Sequence, residues 1–94
     1  MKERILASAV KYGEIIFVGK RHFDVIMSSQ IMAVTGPDKM LDAGKCIQGF
    51  ITNTSRFVTR QEAWYIAEMA NQIVQRVGGD NIGGGRLFSE NIFL

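Results

Sequence analysis

The segment Lys45–Val77 restricts the fold of this chain more than any other. It reads as a strand over Lys45–Thr52, a polar turn over Asn53–Arg56 and one long helix over Arg60–Val77. Thr59 stands where an N-cap belongs and Glu62 follows three residues later, the spacing of a capping box. Ala63, Ile66, Ala67, Ala70, Ile73, Val74 and Val77 then fall within one apolar arc at ~100° per residue. The opposite arc carries Arg60, Gln61, Glu68, Asn71, Gln72, Gln75 and Arg76, together with Trp64 and Tyr65. Large aromatic rings on a wet arc imply that a ligand or a second chain covers them. Trp64, Tyr65 and Met69 are therefore the candidate oligomer interface.

The rest of the chain supplies a small sheet. Ile5–Tyr12 and Glu14–Lys20 flank Gly13, whose freedom to take positive φ suits a tight hairpin. Ile15 and Phe17 point one way and Ile16 and Val18 the other, so both faces of this strand require cover. A helix is predicted over His22–Thr35 and stopped by Gly36-Pro37. Pro37–Gly44 follows as a turn or a single helical turn around Met40 and Leu41. In the third strand Cys46, Gln48, Phe50 and Thr52 share one face, while Ile47, Gly49 and Ile51 share the other. Gly49 inside a strand implies that a helix or ligand approaches its backbone. The glycine-rich stretch after Val77 reads as a helix stop and linker, because it lacks the downstream helix and lysine of a phosphate loop. The tail Arg86–Leu94 is too apolar to float and should dock on its own domain or a neighbour. The expected architecture is α+β: one domain over 1–94, a small antiparallel sheet made of a hairpin plus a third strand, and two helices, one long. At 94 residues it borrows surface by assembling as an oligomer.

Composition narrows the function classes. With 47% hydrophobic and 21% charged residues the chain is of the globular type. A net charge of +2 argues against a strongly electrostatic nucleic-acid binder but is compatible with a small anion. One Cys and one His exclude a conventional single-chain zinc site, and Cys46 lies among apolar residues where a reactive thiolate is disfavoured. No catalytic residue, metal or cofactor is expected. No apolar run approaches the ~20 residues of a membrane span, and the N-terminus does not resemble a signal peptide. The expected location is the cytoplasm of the host cell.

The candidate ligand-binding residues at element ends are Arg21, His22, Asn53, Arg56, Arg60, Ser89 and Glu90, with Phe50 and Phe88 among the aromatics beside them and Gln72, within the predicted helix, as a further hydrogen-bonding group. Guanidinium groups hold phosphate by paired hydrogen bonds, and aromatic faces stack on bases. The same residues also make an ordinary polar rim, and Gly19-Lys20-Arg21-His22 is either an anion contact or a solvated strand end.

Four blocks in order carry a resemblance: Gly19-Lys20-Arg21-His22, Gln48-Gly49-Phe50-Ile51-Thr52, Phe57-Val58-Thr59-Arg60-Gln61-Glu62-Ala63 and Leu87-Phe88-Ser89-Glu90. They resemble a basic G-[KR]-R-H stretch, a Q-G-F strand, an F-x-x-R-x-E-A helix start and an L-F-S-E terminus of small phage and prophage proteins, the Thoeris anti-defence sponges. Gln72 is similar to a glutamine often found in that family's helix. Ser55 and Asn71 depart from it, at positions where glycine is common. The resemblance implies a protein that captures cyclic ADP-ribose signals, in some members also cyclic oligonucleotides. It implies binding without hydrolysis, and assembly into dimers or larger homo-oligomers. A small phage module that docks on and inhibits a host protein, through Trp64, Tyr65 and the tail, is the alternative. Mixed charge on the Arg60 helix disfavours DNA binding.

Overall fold

The computed structural model describes residues 2–36 and 43–92. Four strands form one antiparallel sheet: β1 (Ile5–Tyr12), β2 (Ile15–Gly19), β3 (Cys46–Thr52) and β4 (Phe57–Thr59), in the order β2-β1-β3-β4. Among the described residues three helices accompany it: α1 (Val25–Thr35), α2 (Arg60–Met69) and α3 (Ser89–Ile92). The fold is thus α+β, with a fourth strand and a third helix beyond the expected set. Phe57-Val58 pairs with Phe50 and Ile51 rather than serving only as a lead into the helix. The reading of Pro37–Gly44 falls largely outside the described residues; Ala43–Lys45 forms a 3-10 turn.

Register decides which residues meet. Ser8 faces both Gly19 and Phe50, and Val10 faces both Phe17 and Gln48, so these side chains share one side of the sheet. Helices α1 and α2 pack on that side. Met27 of α1 joins Val10 and Phe17, and α2 brings Ala63, Trp64 and Ala67 against Phe50, Val58 and Ile5. On the other side the Phe57 ring lies where a side chain at Gly49 would stand, and the Val58 carbonyl also occupies that space. This close approach is what the interior glycine permits.

The capping box at α2 is present: Glu62 N donates to Thr59 Oγ1 at 3.3 Å and Thr59 N donates to Glu62 Oε1 at 3.0 Å. The helix is much shorter than the predicted Arg60–Val77. Asn71 takes φ 56°, Gln72 N donates to the Ala67 carbonyl at 2.8 Å and Asn71 N to the Glu68 carbonyl at 3.2 Å. That is a Schellman stop, and it ends α2 at Met69 before Ile73, Val74 and Val77 can continue the arc. α1 likewise starts later than His22. Asp24 caps it by accepting from Met27 N at 2.8 Å, and Phe23 before it is held at φ 56°.

Trp64 corrects a second expectation. It is only 8% exposed and belongs to the core cluster. The glycine-rich stretch, expected as a linker, folds back over α2. Gly85, at φ 127°, lies against the Trp64 indole with no room for a Cβ. The Arg76 guanidinium lies 5.4 Å from the same ring. The tail docks on its own domain. Leu87 is buried, and Asn91 accepts from Phe88 N at 2.8 Å while donating to the Gln75 carbonyl at 3.0 Å.

Candidate functional site

A groove of about 500 Å³ opens between β3, the start of α2 and the returning loop. Cys46, Ile47 and Gln48 form one wall, Thr59, Arg60 and Gln61 another, and Ile82 and Arg86 the third. The capping box explains the second wall: it fixes where α2 begins, and so where Arg60 points. Arg60 donates from Nη1 to the Leu87 carbonyl at 2.6 Å and from Nη2 to Gln48 Oε1 at 2.5 Å. Its guanidinium lies 4.7 Å from the centre of the Phe88 ring, and that of Arg86 lies 5.4 Å from it.

Two guanidiniums on one ring make a locally positive site. Burial first, then the Arg86 charge, lower the pKa of Arg60, and Glu90 partly offsets them. Arginine stays a cation under such shifts because its intrinsic pKa is so high. Among the described residues neither Arg60 nor Arg86 joins an ion pair; those formed are Arg56 with Glu3 and Glu62, and Arg76 with Asp80. An anion entering the groove would therefore meet two cations without displacing a carboxylate.

His22 stands behind this cluster. Nε2 lies 2.8 Å from the Gly49 carbonyl, which can only accept, so Nε2 carries the proton. Nδ1 then accepts from Ser89 Oγ at 3.4 Å, and the ring meets Phe50 edge-on at 5.0 Å. Burial, followed by the charge of Arg60, pushes the imidazole pKa down from 6.5 to about 4. The histidine is neutral at pH 7 and ties β3 to the tail. Phe50 is fully buried, so its ring bears on the groove only through its neighbours.

Of the expected ligand residues, His22, Phe50, Arg60, Phe88 and Ser89 come together, although they lie far apart in sequence. Glu90 adjoins them, and its carbonyl accepts from Gln75 Nε2 at 2.6 Å. Arg21 stands at the end of β2, its backbone N donating to Asp24 Oδ2 at 3.1 Å. The others lie elsewhere. Arg56 grips Glu3 through Nε and Nη2, both at 2.7 Å, at the β3–β4 turn. Asn53 holds the N-terminal segment, accepting from Arg4 N at 2.9 Å and donating to the Lys2 carbonyl at 3.1 Å. Gln72 clamps Ile5, accepting from its N at 2.7 Å and donating to its carbonyl at 2.9 Å. Of the expected interface residues, Tyr65 and Met69 are exposed and line an apolar hollow with Lys2, Glu3 and Ile66, whereas Trp64 is buried.

Gln48, Gln61 and Arg86 were not picked out from sequence. Gln48 shares a strand face with Phe50, and Arg86 opens the tail block, so alternation and adjacency were the available signals. Among the described residues no three of His, Cys, Asp or Glu gather closely enough to share a metal ion, and no helix is long and apolar enough to cross a membrane.

Fold and groove together define a small α+β domain with a positively charged, ring-backed cleft beside a capped helix. The phage T4 y16D protein family model matches residues 4–93, and the chain belongs to that phage family. Neither a curated protein nor a solved structure matches it.

Proposed function

We propose that this phage protein is an anti-defence sponge that binds cyclic nucleotide immune signals in the host cytoplasm and holds them without cleavage. Cyclic ADP-ribose isomers are the first class and cyclic oligonucleotides the second. The observation that carries the reading is the pair Arg60 and Arg86 over Phe88 at the rim of a 500 Å³ groove. A pyrophosphate needs converging cations, and the groove adds Gln48, Thr59 and Gln61 as hydrogen-bonding groups for ribose or base. The four-block resemblance and the phage family are in keeping with it.

Calorimetric titration with cyclic ADP-ribose isomers tests the reading. The native chain gives saturable heat, and Arg86→Gln weakens binding about tenfold or more, the scale of one lost charge-assisted contact. Arg56→Gln, remote from the groove, changes affinity little. No heat from any isomer at tens of micromolar protein removes the proposal. The apolar hollow beside Tyr65 and Met69 favours one competing reading, an inhibitor docked on a host protein. That reading requires Tyr65→Ala to abolish capture of the partner while no nucleotide binds.

A further inference from the structure

We infer that Gln48 determines what the groove accepts: Arg60 fixes its amide so that only N–H groups face the ligand, and the ligand must present a hydrogen-bond acceptor there. The inference rests on the nucleotide reading of the groove and adds which chemical group of that nucleotide Gln48 reads.

Strand register puts the two residues together. Gly49 pairs with Thr59, so one step further along both segments Gln48 stands opposite Arg60, where β4 gives way to α2. Arg60 Nη2 donates to the Gln48 side chain at 2.5 Å. A guanidinium has donors only, so the amide atom toward it is the oxygen, and Nε2 is left for the groove that Gln48 lines. Arg60 is itself held in place. The capping box fixes the start of α2, Nη1 donates to the Leu87 carbonyl at 2.6 Å, and the Phe88 ring lies 4.7 Å from the guanidinium. A charged donor on Oε1 also makes a stronger bond than a neutral one, which resists rotation of the amide.

The neighbouring polar side chains reinforce the bias. Arg60 and Arg86 can only donate. Thr59 Oγ1 accepts from Glu62 N at 3.3 Å, which leaves its hydrogen free to donate. Among the described residues no Asp or Glu lines the groove, and Gln61, unanchored on the facing wall, can turn either end of its amide inward. A ligand with an acceptor at Gln48 gains a hydrogen bond. A ligand with an N–H there sets donor against donor and leaves both without a partner. A free glutamine would rotate to suit either, so the discrimination comes from Arg60. Ile47 and Ile82, 52% and 58% exposed, line the same groove and offer apolar surface to a flat base beside the amide. A nucleotide can supply the acceptor as a base carbonyl or as a phosphate oxygen.

Calorimetric titration with cyclic ADP-ribose and cyclic inosine diphosphate ribose separates the two. The ligands differ at purine position 6, a hydrogen-bearing nitrogen in the first and a carbonyl oxygen in the second. Both are titrated into the native chain, Gln48→Glu and Gln61→Glu. The carboxylate of Gln48→Glu still accepts from Arg60, so circular dichroism is unchanged, but it has no N–H to give. Gln61→Glu adds the same charge to the facing wall and controls for repulsion. If Gln48 reads a base carbonyl, the native chain binds the inosine ligand about tenfold or more tightly than the adenine one, and Gln48→Glu cancels or reverses that preference. If it reads a phosphate, Gln48→Glu weakens both ligands equally, by about tenfold or more beyond the loss in Gln61→Glu. Gln48→Glu binding both ligands as well as Gln61→Glu does, with the native preference between them unchanged, overturns the inference and leaves the nucleotide reading standing. Failure of the native chain to bind either ligand overturns both.

Discussion

At single residues, two backbone conformations carry a cost. Ser55 and Asn71 adopt φ 64° and φ 56°. A side chain in the left-handed region costs roughly 1 kcal/mol, and Asn bears it better than Ser. Ser55→Gly should therefore stabilise the chain by about 0.5–1 kcal/mol in urea denaturation, and Asn71→Gly by less. His22 makes a prediction about pH. Its pKa is depressed in the folded chain, so the unfolded chain binds the proton more readily. Its stabilising effect is complete above pH 6.5 and is lost as pH falls through about 4. Glu3 acts lower in the same direction. Hydrogen bonds from Arg56, then Thr54 and Thr52, bring its pKa from 4.5 to about 2, so its contribution fades as pH falls across that window. Unfolding curves across pH 4–7 should show a decline that His22→Gln reduces between pH 6.5 and 5. An unchanged decline in the variant would show that the imidazole is not buried neutral.

Among elements, local chemistry was legible wherever a short motif fixed it. Thr59 and Glu62 announced the start of α2, and the hairpin about Gly13 forms with Tyr12 opposite Ile15. Alternation placed Gln48 and Phe50 on one face of β3, as the register confirms. The end of α2 was hidden because Ile73, Val74 and Val77 continue a helical spacing by coincidence, while the stop depends on Asn71 turning left-handed. Trp64 was misread because its cover arrives from a loop distant in sequence, and periodicity along one helix carries no information about that loop. That cover is testable. Gly85→Ala places a Cβ against the indole at an unfavourable φ and should cost about 1–3 kcal/mol. The same variant should alter Trp64 fluorescence, whereas a change at exposed Gly78 should do neither. Thr59→Ala should cost about 1 kcal/mol by removing the cap.

At the scale of the whole molecule, the tail is the element that completes the site. Arg60 holds the Leu87 carbonyl, Asn91 closes the turn onto Gln75, and His22 reaches Ser89. The candidate site is therefore built from four separated stretches; sequence chemistry identified His22, Arg60, Phe88 and Ser89 but not Arg86 or Gln48, and did not reveal which residues would meet. Arg56, Asn53 and Gln72 look the same in sequence, yet the fold uses them to tie down the N-terminal strand. The central claim is that the groove retains an intact nucleotide. The most direct measurement incubates the chain with a cyclic ADP-ribose isomer, removes free ligand, denatures the protein by heat and analyses the released small molecule by mass spectrometry. The account predicts the unaltered cyclic nucleotide in near-stoichiometric amount, strongly reduced with Arg86→Gln. Recovery of no nucleotide, or of a linear hydrolysis product, would contradict it.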